Sequence, residues 1–397
     1  METAGAVVFL PREGNRKSLM LEDVLFDPAA VWLVRALEQG GVDRFLVVCH
    51  QDDREEAAGC FPEGTGFITT GTDGASERLG AFLREREGRV VVVTRPVQMS
   101  AAQVKQLLGD SVSGPLDDKE TGVCRIDAAA LAAALDEGMP IEGALRARAD
   151  KPNGRSVWFQ GARPLHGDWS SRVETELLAR NESAVRLMEA GVRILDPNNV
   201  YIGPLVEVGE GSVILPGTIL RGRTIIGENC ELGPNTMIRD CTIGDRVTVN
   251  ASQLNESTVL SGTKVGPFAY VRPNCHVGHD VKVGDFVELK NSTIGDGTKI
   301  SHLTYVGDSD VGSHVNFGCG TVTVNYDGIT KYRTTIGDNA FIGCNTNLVA
   351  PVKVGDGAYT AAGSTITDDV PADSLAIARD RQIIKKQWAA KRRSRRK

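Results

Sequence analysis

The chain has 397 residues, of which 41% are hydrophobic and 24% are charged, a composition typical of a soluble globular protein large enough for two domains. Its formal net charge of −6 gives no reason to expect a nucleic acid partner, although eight of the last 13 residues are Lys or Arg. Glu2, Arg12 and Glu13 interrupt the apolar start, and no run approaches about 20 apolar residues. We therefore expect neither a signal peptide nor a membrane span.

Residues 1 to about 145 alternate between β-rich runs and helical patterns. The β-rich runs are residues 6–10, 45–49 and 90–94, and the helical patterns are 29–39, 75–87, 101–108 and 128–135. This alternation predicts an α/β domain in which crossover helices connect the strands of a parallel, Rossmann-like sheet.

An irregular segment, residues 151–168, precedes a predicted linker helix. Ser171 followed by Glu174 predicts a capping box at its start, and Gly191 predicts its end. We place the domain boundary within about ten residues of Asp196. The predicted organisation is an α/β domain over 1–168, a linker helix over 169–195, a repeat domain over 196–378 and a basic tail over 379–397.

An aliphatic residue then recurs every six positions. The first run is Ile202, Val208, Ile214, Leu220, Ile226, Leu232 and Ile238, and the period resumes from Val265 and again from Ile336. Six residues match neither the 3.6-residue period of a helix nor the two-residue period of a strand. The period predicts short strands stacked as the faces of a triangular prism, with the aliphatic residues inside.

Gly follows many of these aliphatic residues, as in Ile202-Gly203 and Val283-Gly284, and this pattern resembles the hexapeptide-repeat acyltransferases. The segments GPFAYVRP (266–273), VGDFVELKNSTIG (283–295), HLTYVGD (302–308), NYDG (325–328), NLVAPVKVGDGA (347–358) and AAGSTIT (361–367) further resemble the bifunctional N-acetylglucosamine-1-phosphate uridyltransferase/glucosamine-1-phosphate acetyltransferase family. The resemblance implies a nucleotidyltransferase-like domain, a linking helix and a left-handed parallel β-helix that forms homotrimers with acetyl-transfer sites between subunits.

The resemblance also implies the residues of that site. His302, in SHLTY, is expected to be the catalytic base, since histidine titrates near neutral pH and can accept a proton from the sugar amine. The resemblance assigns substrate binding to Arg272, Lys290, Tyr305, Asn316 and Lys331. The three cations of this set suit a sugar phosphate.

For acetyl-CoA the resemblance implies Cys319, Asn325, Tyr326, Cys344, Ala362 and Arg379. Cys319 stands where the family commonly has Ala, and Cys344 where it has Ser. A thiol is a weaker hydrogen-bond donor than a hydroxyl, so we expect weaker cofactor binding without loss of the chemistry. The interval from Phe317 to Ile336 is not a multiple of six, which predicts a loop.

The first domain departs from the family's nucleotide-binding pattern. Its opening segment, VVFLPREGNRKSLM (7–20), contains only Gly14 for a phosphate-binding loop, and Pro11 lacks an N–H. TRPVQ (94–98) has no carboxylate where the family binds its metal ion, and the second metal ligand falls near Ser170. We predict a degenerate domain, shorter than the family's, kept for folding, assembly or regulation; Mg²⁺ would be needed only if it were active.

The eight cysteines form no CxxC pair and no Cys/His metal spacing, so we expect reduced thiols, no metal site and a cytoplasmic location. The leading hypothesis is acetylation of glucosamine 1-phosphate by acetyl-CoA in UDP-N-acetylglucosamine (cell-wall precursor) synthesis. The alternatives are a bifunctional enzyme with unidentified nucleotidyl-site substitutes and a non-catalytic β-helix scaffold or sensor. Two interpretations of the basic tail and Trp388 remain open. They form a cap that contacts CoA or a neighbouring subunit, or they are a disordered solubilising tail.

Overall fold

The computed structural model describes residues 4–70, 74–85, 88–109, 122–149, 157–158 and 162–394. Parts of the predicted irregular segment, the end of the helix predicted over 75–87 and the last three residues of the basic tail lie outside these ranges. The chain forms two compact units. The first unit contains residues 1–190, 196–207 and 220–223, and the second contains 191–195, 208–219 and 224–397.

A six-stranded sheet organises the first unit. In chain order its strands are β1 (Ala4–Leu10), β2 (Val42–Cys49), β3 (Gly66–Thr69), β4 (Arg89–Val93), β5 (Val123–Asp127) and β6 (Val157–Trp158), and their spatial order is β3-β2-β1-β4-β5-β6. The first four strands are parallel, which confirms the α/β prediction. β5 and β6 add two antiparallel strands at one edge, which the alternation of strands and helices did not predict.

Helices cover both faces of this sheet. They are α1 (Ala29–Gly40), α2 (Arg54–Ala58), α3 (Ala75–Arg84), α4 (Ala101–Leu108), α5 (Ala128–Asp136) and α6 (Ile141–Ala149). Alternate residues of β1 separate two cores: Val8 packs with α1 and α4, and Val7 packs with α3, α5 and α6. Successive side chains of a strand point to opposite faces, so the near-continuous apolar runs of β1 and β4 fill both cores.

The linker helix, α7 (Trp169–Glu189), begins one residue after its cap. The Asp168 side chain accepts hydrogen bonds from the backbone N–H groups of Ser170 and Ser171, so the capping box predicted for Ser171 is wrong. Glu174 instead pairs with Arg163. Gly191 follows with a φ of 85° and ends the helix as predicted.

Short segments complete the first unit. They are two antiparallel pairs, Asp23–Val24 with Asp27–Pro28 and Val97–Gln98 with Arg163–Pro164, and 3₁₀ turns at Leu19–Leu21, Gln51–Asp53 and Pro197–Asn199.

From Arg193 onward the chain forms a parallel β-helix of the left-handed hexapeptide type, with three sheets as its faces. Face 1 consists of Arg193–Ile194, Val213–Ile214, Glu231–Leu232, Thr248–Val249, Lys264–Val265, Lys282–Asp285, Lys299–His302, Asn316–Phe317, Phe341–Ile342, Tyr359–Thr360 and Leu375–Ala376. Face 2 consists of Val200–Ile202, Thr218–Arg221, Met237–Arg239, Gln253–Asn255, Tyr270–Val271, Glu288–Lys290, Tyr305–Gly307, Val322–Val324, Asn347–Val349 and Thr365–Ile366. Face 3 consists of Glu207–Val208, Ile225–Ile226, Thr242–Ile243, Thr258–Val259, His276–Val277, Thr293–Ile294, Ser309–Val311, Thr334–Ile336 and Val352–Val354.

The interior of the β-helix follows the six-residue period. On face 1, Ile214 is in register with Leu232, and the same column continues through Val265, Val283 and Ile342. All of these side chains are buried. The aliphatic period thus predicted both the fold and the residues of its core.

Two segments depart from the prism. The interval predicted as a loop contains one further strand, Val322–Val324, so the excursion is confined to residues 325–333, where Tyr326 and Lys331 form an antiparallel bridge. After Leu375–Ala376 the chain is exposed and includes one short helix, α8 (Trp388–Ser394). Within the described ranges, no helix combines the length and apolarity that a membrane span requires.

Candidate functional site

His302 lies at a corner of the prism, at the end of the face 1 strand Lys299–His302. It is in register with Asp285, the last residue of the preceding face 1 strand. His302 Nδ1 lies 2.5 Å from Asp285 Oδ1, and about half of the His302 side chain is exposed. The hydrogen bond from His302 lowers the pKa of Asp285 below its ordinary value.

This pair determines which nitrogen of the ring is available. An ionised Asp285 accepts the Nδ1–H, which holds the neutral ring in the tautomer whose Nε2 carries a free lone pair. Nε2 can then accept a proton from a bound nucleophile, and the carboxylate stabilises the imidazolium that forms. The sequence prediction included His302 but missed Asp285, although it stands one coil, 17 residues, before His302.

Three predicted cofactor positions follow the same corner. The face 1 register places Cys319, Cys344 and Ala362 one, two and three coils after His302. Backbone hydrogen bonds join these coils, from Gly320 N to Leu303 O, from Asn345 N to Cys319 O and from Gly363 N to Cys344 O. We call Asp285, His302, Cys319, Cys344 and Ala362 the corner column; none of these residues is buried. Arg379 lies beside Gly363 in the next coil.

A second group of side chains lies at the next corner, between faces 2 and 3. We call Arg272, Lys290, Tyr305, Asp308, Asn325 and Lys331 the cation cluster. Lys290 Nζ lies 3.4 Å from Asp308 Oδ2, Arg272 Nη1 lies 2.8 Å from Glu288 Oε1, and an open pocket of about 360 Å³ lies among these groups.

Asp308 organises the cation cluster. Although burial raises its pKa, hydrogen bonds from Asn291 and Asn325 and the charge of Lys290 lower the pKa of Asp308 overall. It therefore remains ionised and accepts hydrogen bonds from Asn291 Nδ2, at 2.6 Å, and from Asn325 Nδ2. The sequence analysis did not single out Asp308, because its partners come from different coils and from the loop.

The two lysines indicate the charge that the cluster can bind. The hydrogen bond and positive charge of Lys290 lower the pKa of Lys331, as expected for two ammonium groups held close together. With Arg272 they supply three cations against the two carboxylates of Glu288 and Asp308. A bound phosphate dianion would relieve the repulsion between the lysines.

Tyr305 is the first residue of the face 2 strand Tyr305–Gly307, and its side chain extends across face 2 to the rest of the cation cluster. Its hydroxyl lies 3.5 Å from Asn325 Nδ2, and a Cβ on Gly307 would collide with that hydroxyl. His302 and Lys290 lie at the two corners that bound face 2, at the ends of a face 1 strand and of a face 2 strand. Asn316 lies on the outer side of face 1, and the Tyr326 hydroxyl donates to Gly328 O within the loop. The structure therefore places Asn316 and Tyr326 outside both groups.

Two of the three cations of the segment 7–20 of the first unit, Arg12 and Lys17, are held in ion pairs. The Arg12 guanidinium contacts Asp53 through Nε, at 2.9 Å, and Nη2, at 2.5 Å, and Asp52 through Nη1, at 3.2 Å. Lys17 Nζ lies 2.6 Å from Glu56 Oε1. Among the described residues no three His, Cys, Asp or Glu side chains are grouped as metal ligands.

Comparison with known proteins defines the class of the β-helix. Residues 205–240 and 333–368 match the family "Bacterial transferase hexapeptide (six repeats)". A UDP-N-acetylglucosamine acyltransferase from Francisella novicida is similar in structure, with a TM-score of 0.31 and 16% identity over 47% of this chain and 66% of that one. Residues 205–240 and 333–368 of the β-helix thus carry the repeats of that hexapeptide family.

The sequence comparison is more specific. "Bifunctional protein GlmU" from Clostridium kluyveri is 56% identical over 226 residues, 56% of this chain and 50% of that protein. Its namesake from Clostridium acetobutylicum is 56% identical over 205 residues, 52% of this chain and 45% of that protein. The chain spans about half the length of the curated relatives it matches, and over that half it is related to the bifunctional GlmU proteins.

Proposed function

We propose that the β-helix transfers the acetyl group of acetyl-CoA to the amine of glucosamine 1-phosphate, giving N-acetylglucosamine 1-phosphate for UDP-N-acetylglucosamine synthesis in the cytoplasm. The observation that carries this proposal is the His302–Asp285 pair at the start of the corner column, with the cation cluster one face away. The relationship to the bifunctional GlmU proteins supports the same activity.

Each group of residues has a separate role in the proposed reaction. His302 Nε2 accepts a proton as the sugar nitrogen attacks the thioester carbonyl, Asp285 stabilises the imidazolium, and the C–S bond then breaks to release CoA as a thiol. Arg272, Lys290 and Lys331 hold the phosphate. The acetyl-CoA arm would extend along Cys319, Cys344 and Ala362 to Arg379, and Tyr305 would contact the sugar. Asn325, Tyr326 and Asn316 remain proposed contacts from the resemblance, although Asn325 belongs to the cation cluster and the other two lie outside both groups.

We also propose that the active form is a homotrimer. Phe268 and Phe286 stack with ring centroids 5.4 Å apart, and with Leu303 they form an apolar strip next to the corner column. These three side chains are 60%, 58% and 57% exposed, which is unusual for large apolar groups at one edge. Light scattering should give three times the mass of the chain. Phe286→Glu should give a smaller species, whereas a monomeric wild-type protein at micromolar concentration contradicts the proposal.

We propose no uridyltransferase step for the first unit. Arg12 and Lys17, two of the three cations of segment 7–20, are held by Asp53 and Glu56, and 94–98 has no carboxylate for Mg²⁺. A substrate triphosphate that used either of these two cations would have to displace its ion pair.

One preparation tests these statements together. Thiol release from acetyl-CoA with glucosamine 1-phosphate should exceed that of His302→Ala, and pyrophosphate release from UTP, N-acetylglucosamine 1-phosphate and Mg²⁺ should be absent. Both activities would establish the bifunctional alternative. Substrate binding without turnover would favour the scaffold or sensor, and neither binding nor thiol release would refute the proposed acetyl transfer.

A further inference from the structure

Two of the eight cysteines differ from the others in exposure and lie next to each other. Cys319 is partly exposed and Cys344 is exposed, and both belong to the corner column. Neither thiol has a hydrogen-bond partner among the described residues. The remaining six are buried: Cys49, Cys60, Cys124, Cys230, Cys241 and Cys275. The fold therefore leaves two accessible thiols, and it places them together on the β-helix.

The strand register sets the spacing of this pair. Phe317 is in register with Ile342 at the ends of consecutive face 1 strands. Each cysteine follows two residues later, so Cys319 and Cys344 occupy equivalent positions in successive coils. The two coils stay in contact at this corner, because Asn345 N donates to Cys319 O at 2.8 Å. Neighbouring strands are about 4.8 Å apart, which is within the Cα separation of about 4.4–6.8 Å found in disulfides.

The side chains of the pair are also oriented suitably. Equivalent positions in successive coils direct their Cβ atoms the same way, so the Cβ atoms of Cys319 and Cys344 keep about the 4.8 Å spacing of the strands. Disulfide-bonded Cβ atoms lie about 3.8 Å apart, so an approach of about 1 Å is required. Both cysteines lie in turns, which adjust more easily than paired strands.

The buried cysteines do not compete for the same chemistry. Thiol–disulfide exchange requires access and a thiolate as the nucleophile. Burial raises the pKa of Cys60 and that of Cys241 to about 11, and it also raises the pKa of Cys49, Cys230 and Cys275. A small oxidant is therefore directed to the two thiols of the corner column.

From these observations we propose that Cys319 and Cys344 are a modification site at which a small-molecule disulfide is reduced and an intramolecular disulfide forms. The Cys344 thiolate attacks one sulfur of the small disulfide, a mixed disulfide forms, and one small thiolate leaves. The Cys319 thiolate then attacks Sγ of Cys344, and the second small thiolate leaves. The protein loses two electrons and two protons, which the small disulfide gains as it becomes two thiols. Excess thiol reverses both steps.

The position of the pair gives the modification a consequence for acetyl transfer, and this consequence rests on the proposed function. The acetyl-CoA arm would extend along Cys319 and Cys344, and a disulfide removes both thiol donors and shifts the corner. Oxidation should therefore raise the KM for acetyl-CoA. The KM for glucosamine 1-phosphate should change less, because the cation cluster lies at another corner.

Peptide mapping of the full chain after incubation with oxidised glutathione tests the modification. Trypsin cleaves after the Lys and Arg residues that flank and separate the pair, so Cys319 lies on peptide 300–331 and Cys344 on peptide 334–353. Without reductant these two peptides should be joined, and dithiothreitol should separate them. The oxidised protein should run as a single chain in a denaturing gel. Iodoacetamide should label two cysteines of the native reduced chain and neither of them after oxidation.

Single variants test the order of the two steps. Cys319→Ser and Cys344→Ser each leave one accessible thiol, which should retain one glutathione as a mixed disulfide. Cys275→Ala, at a buried position of the β-helix, is the matched control and should be oxidised as wild type is. The proposal is overturned if wild type stops at a mixed disulfide, if the linked peptides come from two chains, or if a buried cysteine is oxidised in preference.

Acetyl-transfer kinetics distinguish a failure of this proposal from a failure of the proposed function. Oxidised wild type should show a KM for acetyl-CoA raised about tenfold or more, and dithiothreitol should restore it. A double variant, Cys319→Ala with Cys344→Ser, should not respond to oxidised glutathione. If reduced wild type transfers no acetyl group, the proposed function fails, and the joined peptides still decide whether the pair is oxidised. Unchanged kinetics after complete oxidation would refute the effect on acetyl-CoA.

Discussion

Asp285→Asn is the most direct test of the site, because it retains the shape of the side chain and removes its charge. A positioned general base accelerates proton transfer about 10²- to 10⁴-fold, so His302→Ala sets the upper limit of the effect. Asparagine can still accept the Nδ1–H of His302 through its oxygen, but it cannot stabilise the imidazolium. The Asp285 side chain is 37% exposed, and solvent screening weakens its contribution. We therefore expect kcat to fall about 10- to 100-fold.

The Michaelis constants distinguish this role from a structural one. Asp285 belongs to the corner column and not to the cation cluster, so the KM for glucosamine 1-phosphate should change less than about twofold. Asp280→Asn is the matched control, because Asp280 is a carboxylate at a different corner and asparagine tolerates its positive φ of 54°. Steady-state thiol release measures all of these constants. The mechanism is refuted if Asp285→Asn keeps more than half of the wild-type kcat.

Three further changes test other groups. Lys331→Met should raise the KM for glucosamine 1-phosphate about tenfold, since a charge-assisted phosphate contact is lost, and steady-state kinetics with an unchanged KM would remove Lys331 from the site. Cys344→Ser should lower the KM for acetyl-CoA several-fold by restoring a hydroxyl donor, whereas the same gain in Cys344→Ala would contradict that reason. Glu182, with its pKa raised to about 7, contributes stability that is present below about pH 4.5 and lost as pH rises through 7. Relative to wild type, Glu182→Gln should therefore gain roughly 3 kcal/mol of unfolding free energy between pH 4.5 and pH 8; urea unfolding measures it, and a pH-independent difference contradicts it.

The sequence predicted the β-helix because its signal is local and repeated. The interior positions of the prism are filled by aliphatic residues such as Leu232 and Val283. The six-residue period identifies these positions from the sequence alone, without any information on tertiary contacts. The antiparallel direction of β5 and β6 was not predictable in the same way. It depends on the connection that follows β4, and a strand's own residues do not specify its direction.

The sequence supplied candidate site residues but not the pairs that the fold forms between them. His302 was recognised from its local motif, whereas Asp285 acquires its role only when two coils are stacked in register. Asp308 is similar, because its partners Asn291 and Asn325 come from one coil before and from the loop after it. Glu182 looks like any helix-surface glutamate in the sequence, and its raised pKa results from packing.

The corner column gives this protein a built-in ruler. Neighbouring strands of a sheet lie about 4.8 Å apart, so the four steps from Asp285 to Ala362 span roughly 19 Å. Each step is one whole coil, so under the proposed function the distance between the reacting end and the far end of the acetyl-CoA arm would be set by a count of coils. Removing one complete coil between Cys319 and Ala362 would leave the prism continuous but shorten this ruler by about 4.8 Å, so the length of the column and the stability of the prism depend on different features of the same repeat.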